Sequence, residues 1–232
     1  MALSDQRMTA LEIINEVRRK SKINPVTTFS QDSDALTKLA YLNDVISEIS
    51  DYDNWQELLR NVTVTAQSSV ADYSIPVSAV TVVQNIHEVV FDDRPGEMAM
   101  VTLDTIRRLQ RTRSWGIPTQ WAVKGVDSNG NPYFSVSPVP VSAQDGLTFD
   151  VLVWEKPTFI TTAQVTAVPP FPGKLVVQGL LAKTVLDESD GEPTSRYQQV
   201  KKVYDDMLYE SYNRYNGDSG STVFFRPGRG RR

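Results

Sequence analysis

The chain has 232 residues, a formal net charge of −4 and no cysteine. This length is enough for one large domain or two modest ones, and a folded chain of this size buries roughly 70% of its unfolded surface. The lack of cysteine excludes disulfides, thiolate metal sites and cysteine nucleophiles, and it suits a protein made in a reducing cytosol. No stretch approaches the ~20 apolar residues that cross a bilayer, so we expect no membrane partner.

The charge is unevenly distributed along the chain. Residues 216–232 contain four of the 24 basic side chains but only one of the 28 acidic ones, Asp218. Residues 1–215 therefore carry 20 basic and 27 acidic side chains, a net charge of −7. Because phosphate binding needs a clustered basic surface, this charge balance argues against nucleic-acid binding by residues 1–215.

Two amphipathic helices are predicted at the start of the chain. Thr9 and Glu12 form a T-x-x-E capping box, which marks the first turn of a helix. Apolar residues then recur at helical spacing until Asn24-Pro25, where we expect this helix to end. A second helix is predicted from after Ser30 to about Asp51.

The middle of the chain alternates apolar and polar residues, as half-buried strands do. We predict strands at about 61–67, 73–77, 80–91, 120–124, 133–136 and 147–154. Pro76 indicates an edge position, because proline cannot donate to a neighbouring strand. A short helix over 102–110 interrupts the strands. Asn129-Gly130, between the fourth and fifth strands, is the strongest short-range signal for a hairpin.

Helical spacing returns after Phe171-Pro172, with one helix over about 173–188 and a last helix from near Pro193. Helices on both sides of a strand-rich middle predict an α+β protein. In this fold the N- and C-terminal helices form a helical bundle with an inserted antiparallel β domain and an extended C-terminal arm. The predicted units are a helical domain of 1–60 and 170–215, a β domain of 61–169 with its short helix at 102–110, and a flexible basic arm of 216–232.

Several segments follow one another in a recognisable order. The first two are the helical segments 9–17 and 39–49. Ala71-Asp72-Tyr73-Ser74-Ile75-Pro76 is similar to an x-x-Y-x-L-P strand, and Gly116-Ile117-Pro118-Thr119-Gln120-Trp121-Ala122 is similar to a G-x-P-x-x-Y/W-A segment. The last is Phe171-Pro172, which precedes two helices. In order and spacing, over about residues 8–215, the chain resembles the phage head-to-tail adaptor family. That family includes connectors and the tubular tail proteins of short-tailed phages.

The resemblance implies a structural protein of the virion, made in the host cytoplasm and placed at the head-tail junction. It implies a ring of twelve copies under the portal protein. Our own hypothesis is that the helical domain builds this ring and that the β domain contacts a tail protein of the nozzle or tail-tube kind. Genomic DNA would pass through the centre without specific binding. The resemblance implies no enzymatic activity, catalytic residue, metal or cofactor.

The C-terminal arm is the most specific candidate for a partner-binding site in the sequence. Phe224 and Phe225 are adjacent large apolar groups in a basic strip, and in a groove of a partner such groups become anchors. The arginines could pair with carboxylates at the rim of that groove; they are Arg226, Arg229, Arg231 and Arg232. The resemblance implies that C-terminal arms reach up to bind the portal, so we interpret these six residues as a portal-binding arm. A solubilising tail and a tail that binds nucleic acid remain alternatives.

A row of tyrosines marks the last helix. We expect Tyr204 to lie in the core and Tyr209, Tyr212 and Tyr215 to lie at a subunit interface, because a tyrosine ring packs well in a dry contact while its hydroxyl keeps a hydrogen bond. A stacking platform for bases is the other interpretation.

Catalytic and metal sites have weak support in the sequence. His87 is the only histidine, and we expect it on a strand surface or packed, not in a triad. The segment 127–131 starts like a calcium loop but has Pro132 where glycine is required, so we interpret it as the hairpin turn. The acidic turn with Asp187, Glu188, Asp190 and Glu192 is interpreted as a solvated connector.

A peptidoglycan hydrolase is the remaining enzymatic alternative. Any two carboxylates can converge in a fold, and Glu57 beside Trp55 and Glu155 beside Trp154 are the candidates. We interpret both glutamates as structural. Three classes therefore stay open: a structural adaptor, a cell-wall hydrolase and a nucleic-acid-binding protein.

Overall fold

The computed structural model describes residues 7–53, 55–76, 83–93, 96–112, 114–126 and 132–216. Within these ranges there are five α-helices: α1 (Ala10–Lys20), α2 (Ser33–Tyr52), α3 (Leu103–Arg111), α4 (Gly173–Asp187) and α5 (Ser195–Asn216). There are seven strands: β1 (Leu59–Thr65), β2 (Asp72–Ser74), β3 (Val83–Phe91), β4 (Ala99–Met100), β5 (Gln120–Val126), β6 (Pro132–Ser137) and β7 (Thr148–Glu155).

Helix α1 begins as predicted and ends early. The Thr9 hydroxyl accepts the amide of Glu12 at 3.2 Å, and the Glu12 carboxylate accepts the amide of Thr9 at 2.7 Å, so the capping box is confirmed. The predicted end at residues 24–25 is wrong. Lys22 turns the chain at φ 60°, and the amide of Ile23 donates to the carbonyl of Arg18 at 2.8 Å, which closes the helix after Lys20.

Four helices share one hydrophobic core. Helices α1, α2, α4 and α5 contribute most of its buried side chains, and Trp55, which follows α2, is fully buried in it. The Trp55 indole donates to the carbonyl of Ile49 at 2.7 Å, and its ring meets Phe171 edge-on at 5.3 Å. Since Phe171 precedes α4, this pair joins the N-terminal and C-terminal helices of the bundle.

Two sheets form the middle of the chain. In the first, β7 is central and pairs antiparallel with β1 and β3; the second has the order β2-β6-β5-β4. A second hydrophobic core contains buried side chains from both sheets, and the Phe134 and Phe149 rings meet edge-on across it at 5.7 Å. The strands therefore pack as two layers around a core of their own.

The strand predictions are confirmed for the most part. Strands β5 and β6 pair antiparallel as the hairpin signal indicated, while Asn129-Gly130 lies outside the described residues. Pro76 follows β2, which is an edge strand. Strand β4 was not predicted: it has two residues and pairs in parallel with β5, so the sheets are mixed and not purely antiparallel. The α+β class, with a helical bundle and a β unit inserted into it, is confirmed.

The segment after β7 returns the chain to the bundle. The Asn43 side chain on α2 donates to the carbonyl of Ile160 at 3.0 Å and accepts its amide at 2.8 Å. Further along, the amide of Ala10 donates to the carbonyl of Ala167 at 2.7 Å. These bonds fix residues 156–170 along α1 and α2. The exact domain limits predicted from the sequence stay a prediction.

Candidate assembly surface

Helix α5 buries one face and exposes the other. Tyr204 and Leu208 lie in the bundle core with relative exposures of 2% and 5%, whereas Tyr209 is 57% exposed. The expectation that Tyr204 is a core residue is therefore confirmed. An exposed aromatic ring of this size on a rigid helix is a common anchor of protein interfaces.

The three interface tyrosines predicted on α5 have different environments. Tyr212 is partly buried and meets Trp55 edge-on at 6.2 Å and Tyr52 edge-on at 6.1 Å, both within the chain. Only Tyr209 of the described pair points its ring into open solvent. The side chain of Tyr215 lies outside the described residues.

Tyr52, at the end of α2, was missed by sequence reasoning. Its ring contacts Tyr212 and remains 47% exposed. Tyr209 lies three residues before Tyr212, so the two side chains neighbour each other on α5. We call Tyr52, Tyr209 and Tyr212 the tyrosine surface. The position of Tyr52 in the sequence, at the end of α2 and three residues before Trp55, is the signal that could have pointed to it.

The two candidate glutamates line the same cavity. It has a volume of about 410 Å³, lies where the bundle meets the first sheet, and includes Glu57, Arg60 and Glu155 in its wall. The Arg60 guanidinium lies 3.2 Å from a carboxylate oxygen of Glu155. This contact makes Glu155 part of an ion pair in the cavity wall.

The other candidate chemical groups are dispersed. His87 is exposed on β3 with its ring 4.5 Å from that of Trp154. Glu188 in the acidic turn pairs with Arg196 at 3.2 Å. Among the described residues, no group of three or more His, Asp or Glu side chains is placed to hold a metal ion. The calcium-like segment 127–131 lies outside the described ranges.

Two further observations concern partners. The six arm residues lie beyond Asn216, outside the part of the chain that the structure describes: Phe224, Phe225, Arg226, Arg229, Arg231 and Arg232. None of the described helices is long and apolar enough to cross a membrane.

Comparison with known families settles the class of the protein. The family model described as SU10 adaptor protein matches residues 8–230, which is nearly the whole chain. The chain belongs to this family. It is a family of phage head-to-tail adaptors, which are structural components of the virion. No curated protein matches the chain. The resemblance seen over residues 8–215 is thus confirmed at the level of the adaptor family, and the match extends into the arm.

Proposed function

We propose that this SU10-family adaptor forms a ring under the portal of a phage head, connects the head to the tail and lets DNA pass through its centre. The observation that carries the proposal is the family match over residues 8–230. The fold supports it, because the bundle and the β unit have separate cores and can face different partners.

In this proposal the two units of the chain have different roles. The helical domain of 1–60 and 170–215 builds the ring, of twelve copies, and the β domain of 61–169 contacts a nozzle or tail-tube protein. The tyrosine surface supports a ring contact on the bundle, since Tyr209 and Tyr52 are 57% and 47% exposed on rigid helices. Tyr215 completes that contact from the last turn of α5.

The arm of 216–232 binds the portal protein. Phe224 and Phe225 enter apolar grooves, and the arginines pair with carboxylates at the rim. A segment that folds on binding loses conformational entropy, so a single arm binds weakly. Twelve arms on one ring convert weak contacts into strong avidity.

The charge of the body suits a DNA conduit. Residues 1–215 carry a net charge of −7, and a lumen with an acidic balance repels the phosphate backbone. DNA then passes through without stable binding.

A gene deletion tests the proposal. Cells infected by the phage that encodes this protein, with its gene deleted, should accumulate DNA-packaged heads that lack tails. Wild-type protein supplied from a plasmid should restore tailed particles. Tailed, infectious particles formed without the protein would contradict the proposal.

A further inference from the structure

Helix α3 is fixed on the second sheet and turns a basic face outwards. The Thr102 hydroxyl caps its start by accepting the amide of Thr105 at 3.3 Å, Ile106 is fully buried, and the Gln110 side chain donates to the hydroxyl of Ser135 at 3.0 Å. With that side anchored, the opposite side is exposed and carries Arg107, Arg108 and Arg111.

Among the described residues, these three arginines have one acidic partner. Arg107 lies 3.8 Å from Asp104, and both side chains are exposed to solvent. In the described ranges of the chain, Arg108 and Arg111 form no ion pair. The net charge of residues 1–215 is negative, so the charge balance of the sequence did not indicate this local positive surface.

Large apolar side chains flank the basic face. Met100, just before α3, is 62% exposed, and Trp115 and Ile117, just after it, are 52% and 41% exposed. Arginine, tryptophan and methionine together are typical of protein interfaces. Phosphate contacts would use the arginines but would leave Met100 and Ile117 in water. The composition therefore favours a protein partner with carboxylates and some apolar surface.

The chain itself presents a surface of that kind at one end of the bundle. The end of α1 lies beside both the end of α4 and the start of α2, since the Ser21 hydroxyl donates to Glu188 at 3.5 Å and Arg18 pairs with Asp32 at 2.8 Å. The start of α2, with Leu36 43% exposed, thus lies beside the turn between α4 and α5. That turn exposes four carboxylates: Asp187, Glu188, Asp190 and Glu192.

We call this surface the acidic tip. Arg196 pairs with Glu188 at 3.2 Å, and the Ser21 hydroxyl, between the exposed Lys20 and Lys22, donates to the same carboxylate. Glu192 forms no ion pair with any residue the structure describes. The arginines of α3 and the four carboxylates of the tip are opposite in charge, and the exposed Leu36 lies beside the tip.

We propose that the basic face of α3 in one subunit docks on the acidic tip of a second copy. The inference rests on the proposed function, in which neighbouring copies meet in a ring, and it adds a contact from α3 of the β domain to the ring contacts of the helical domain. The two surfaces lie on different units of the chain, so the contact is heterologous, the type that generates closed rings. Arg108 and Arg111 pair with carboxylates of the tip, and Trp115 packs against Leu36.

Sedimentation velocity of the full-length protein, over a series of concentrations, tests this contact. At about 50 mM salt we expect reversible self-association, and at about 500 mM salt we expect it to be suppressed, because screening then acts within a few ångströms. The double variants Arg108→Glu/Arg111→Glu and Glu188→Lys/Glu192→Lys should each weaken association more than tenfold, because like charges then face each other (~1.4 kcal/mol per tenfold).

Two matched variants complete the test. Arg108→Lys/Arg111→Lys keeps the charge and should still associate. The quadruple variant that combines both double variants has the charges exchanged and should associate again. A wild type that stays monomeric at low salt, a double variant that associates like wild type, or a quadruple variant that stays monomeric would each overturn the proposal. So would duplex DNA that binds the Arg108/Arg111 face of a monomeric wild type.

Failure here is separable from failure of the adaptor function. If the α3 contact is wrong, the gene deletion still yields heads without tails. If the adaptor function is wrong, tailed particles form without the protein, whatever the sedimentation shows.

Discussion

Gly179 of α4 lies directly against Tyr204 of α5. A β-carbon added at Gly179 would stand 2.8 Å from Cε2 of Tyr204 and 2.7 Å from Cγ1 of Val45 on α2, closer than real β-carbons approach other atoms. The missing side chain therefore lets three helices of the bundle meet at one point. It also fixes the rotation of α5, and with it the positions of Tyr209 and Tyr212.

Replacing this glycine should destabilise the protein. In an ordinary helix interior Gly→Ala adds about 1 kcal/mol of stability, so the sign of the effect is diagnostic. We expect Gly179→Ala to lower the free energy of unfolding by about 1–3 kcal/mol through overpacking. Urea denaturation measures it, with the exposed Lys174→Ala on the same helix as control. A Gly179→Ala variant more stable than wild type would contradict the packing described.

Replacing the buried Arg18 should lower the stability of the protein more than replacing the exposed Arg19. The Arg18 side chain is 3% exposed, donates to the carbonyl of Asn24 at 2.7 Å and pairs with Asp32 at 2.8 Å. Arg18→Met removes these bonds and should cost about 2–4 kcal/mol in thermal or urea unfolding. Arg19→Met is the matched control, because that side chain is 75% exposed and its pair with Glu16 is solvated. Equal melting temperatures for the two variants would count against the buried network.

Tyr204 should make stability fall in alkali. Its hydroxyl is buried without a hydrogen-bond partner among the described residues. Burial, with Glu48 and Asp205 nearby, raises the pKa of Tyr204 above its ordinary value near 10. The unfolded chain then releases this proton at lower pH than the folded one, so stability is present below pH ~10 and is lost as the pH rises above it.

Tyr204→Phe separates these effects. It removes a buried hydroxyl that lacks a partner, so stability at pH 8 should be unchanged or higher by up to about 1 kcal/mol. The loss of stability between pH 8 and pH 11 should be smaller than in wild type. Urea denaturation at both pH values measures the difference, and a parallel loss in both proteins would show that Tyr204 does not contribute.

Peptidoglycan should not be a substrate. Glu57 and Glu155 share a cavity wall, but Arg60 engages Glu155 and the family is structural. A zymogram of the purified protein should show no clearing where lysozyme clears. Clearing by wild type that disappears in Glu57→Gln or Glu155→Gln would instead establish a hydrolase.

Features with local causes were predictable from the sequence. The capping box at Thr9, the α3 helix after Thr102 and the β5–β6 hairpin all arise from residues that are neighbours along the chain. Strand β4 was not predictable, because two residues show no periodicity and the strand exists through its pairing with β5.

The surfaces were harder to predict than the elements. Arg18 stands in a charged Arg-Arg-Lys run that reads as a solvated face, yet the start of α2 covers it. The split between exposed Tyr209 and packed Tyr212 depends on how α5 is rotated, which Gly179 and Tyr204 decide through tertiary contact. The exposed arginines of α3 were counted within an acidic total that concealed their clustering.

The arm should carry much of the affinity for the portal. Deleting 216–232 should weaken binding of the adaptor to the portal protein encoded by the same phage by at least about 100-fold, the scale on which multivalent arms add avidity. Surface plasmon resonance on immobilised portal rings measures this. An unchanged affinity would remove the arm hypothesis. Salt-sensitive DNA binding lost in the same deletion would assign the arm to nucleic acid instead.

Electron microscopy of the intact protein mixed with that portal shows whether the adaptor forms a ring under the portal. We expect a closed ring of adaptor density on one face of the portal, with an open channel continuous with the portal lumen. Portal rings that stay undecorated at saturating adaptor concentration, or adaptor bound elsewhere on the portal, would contradict it.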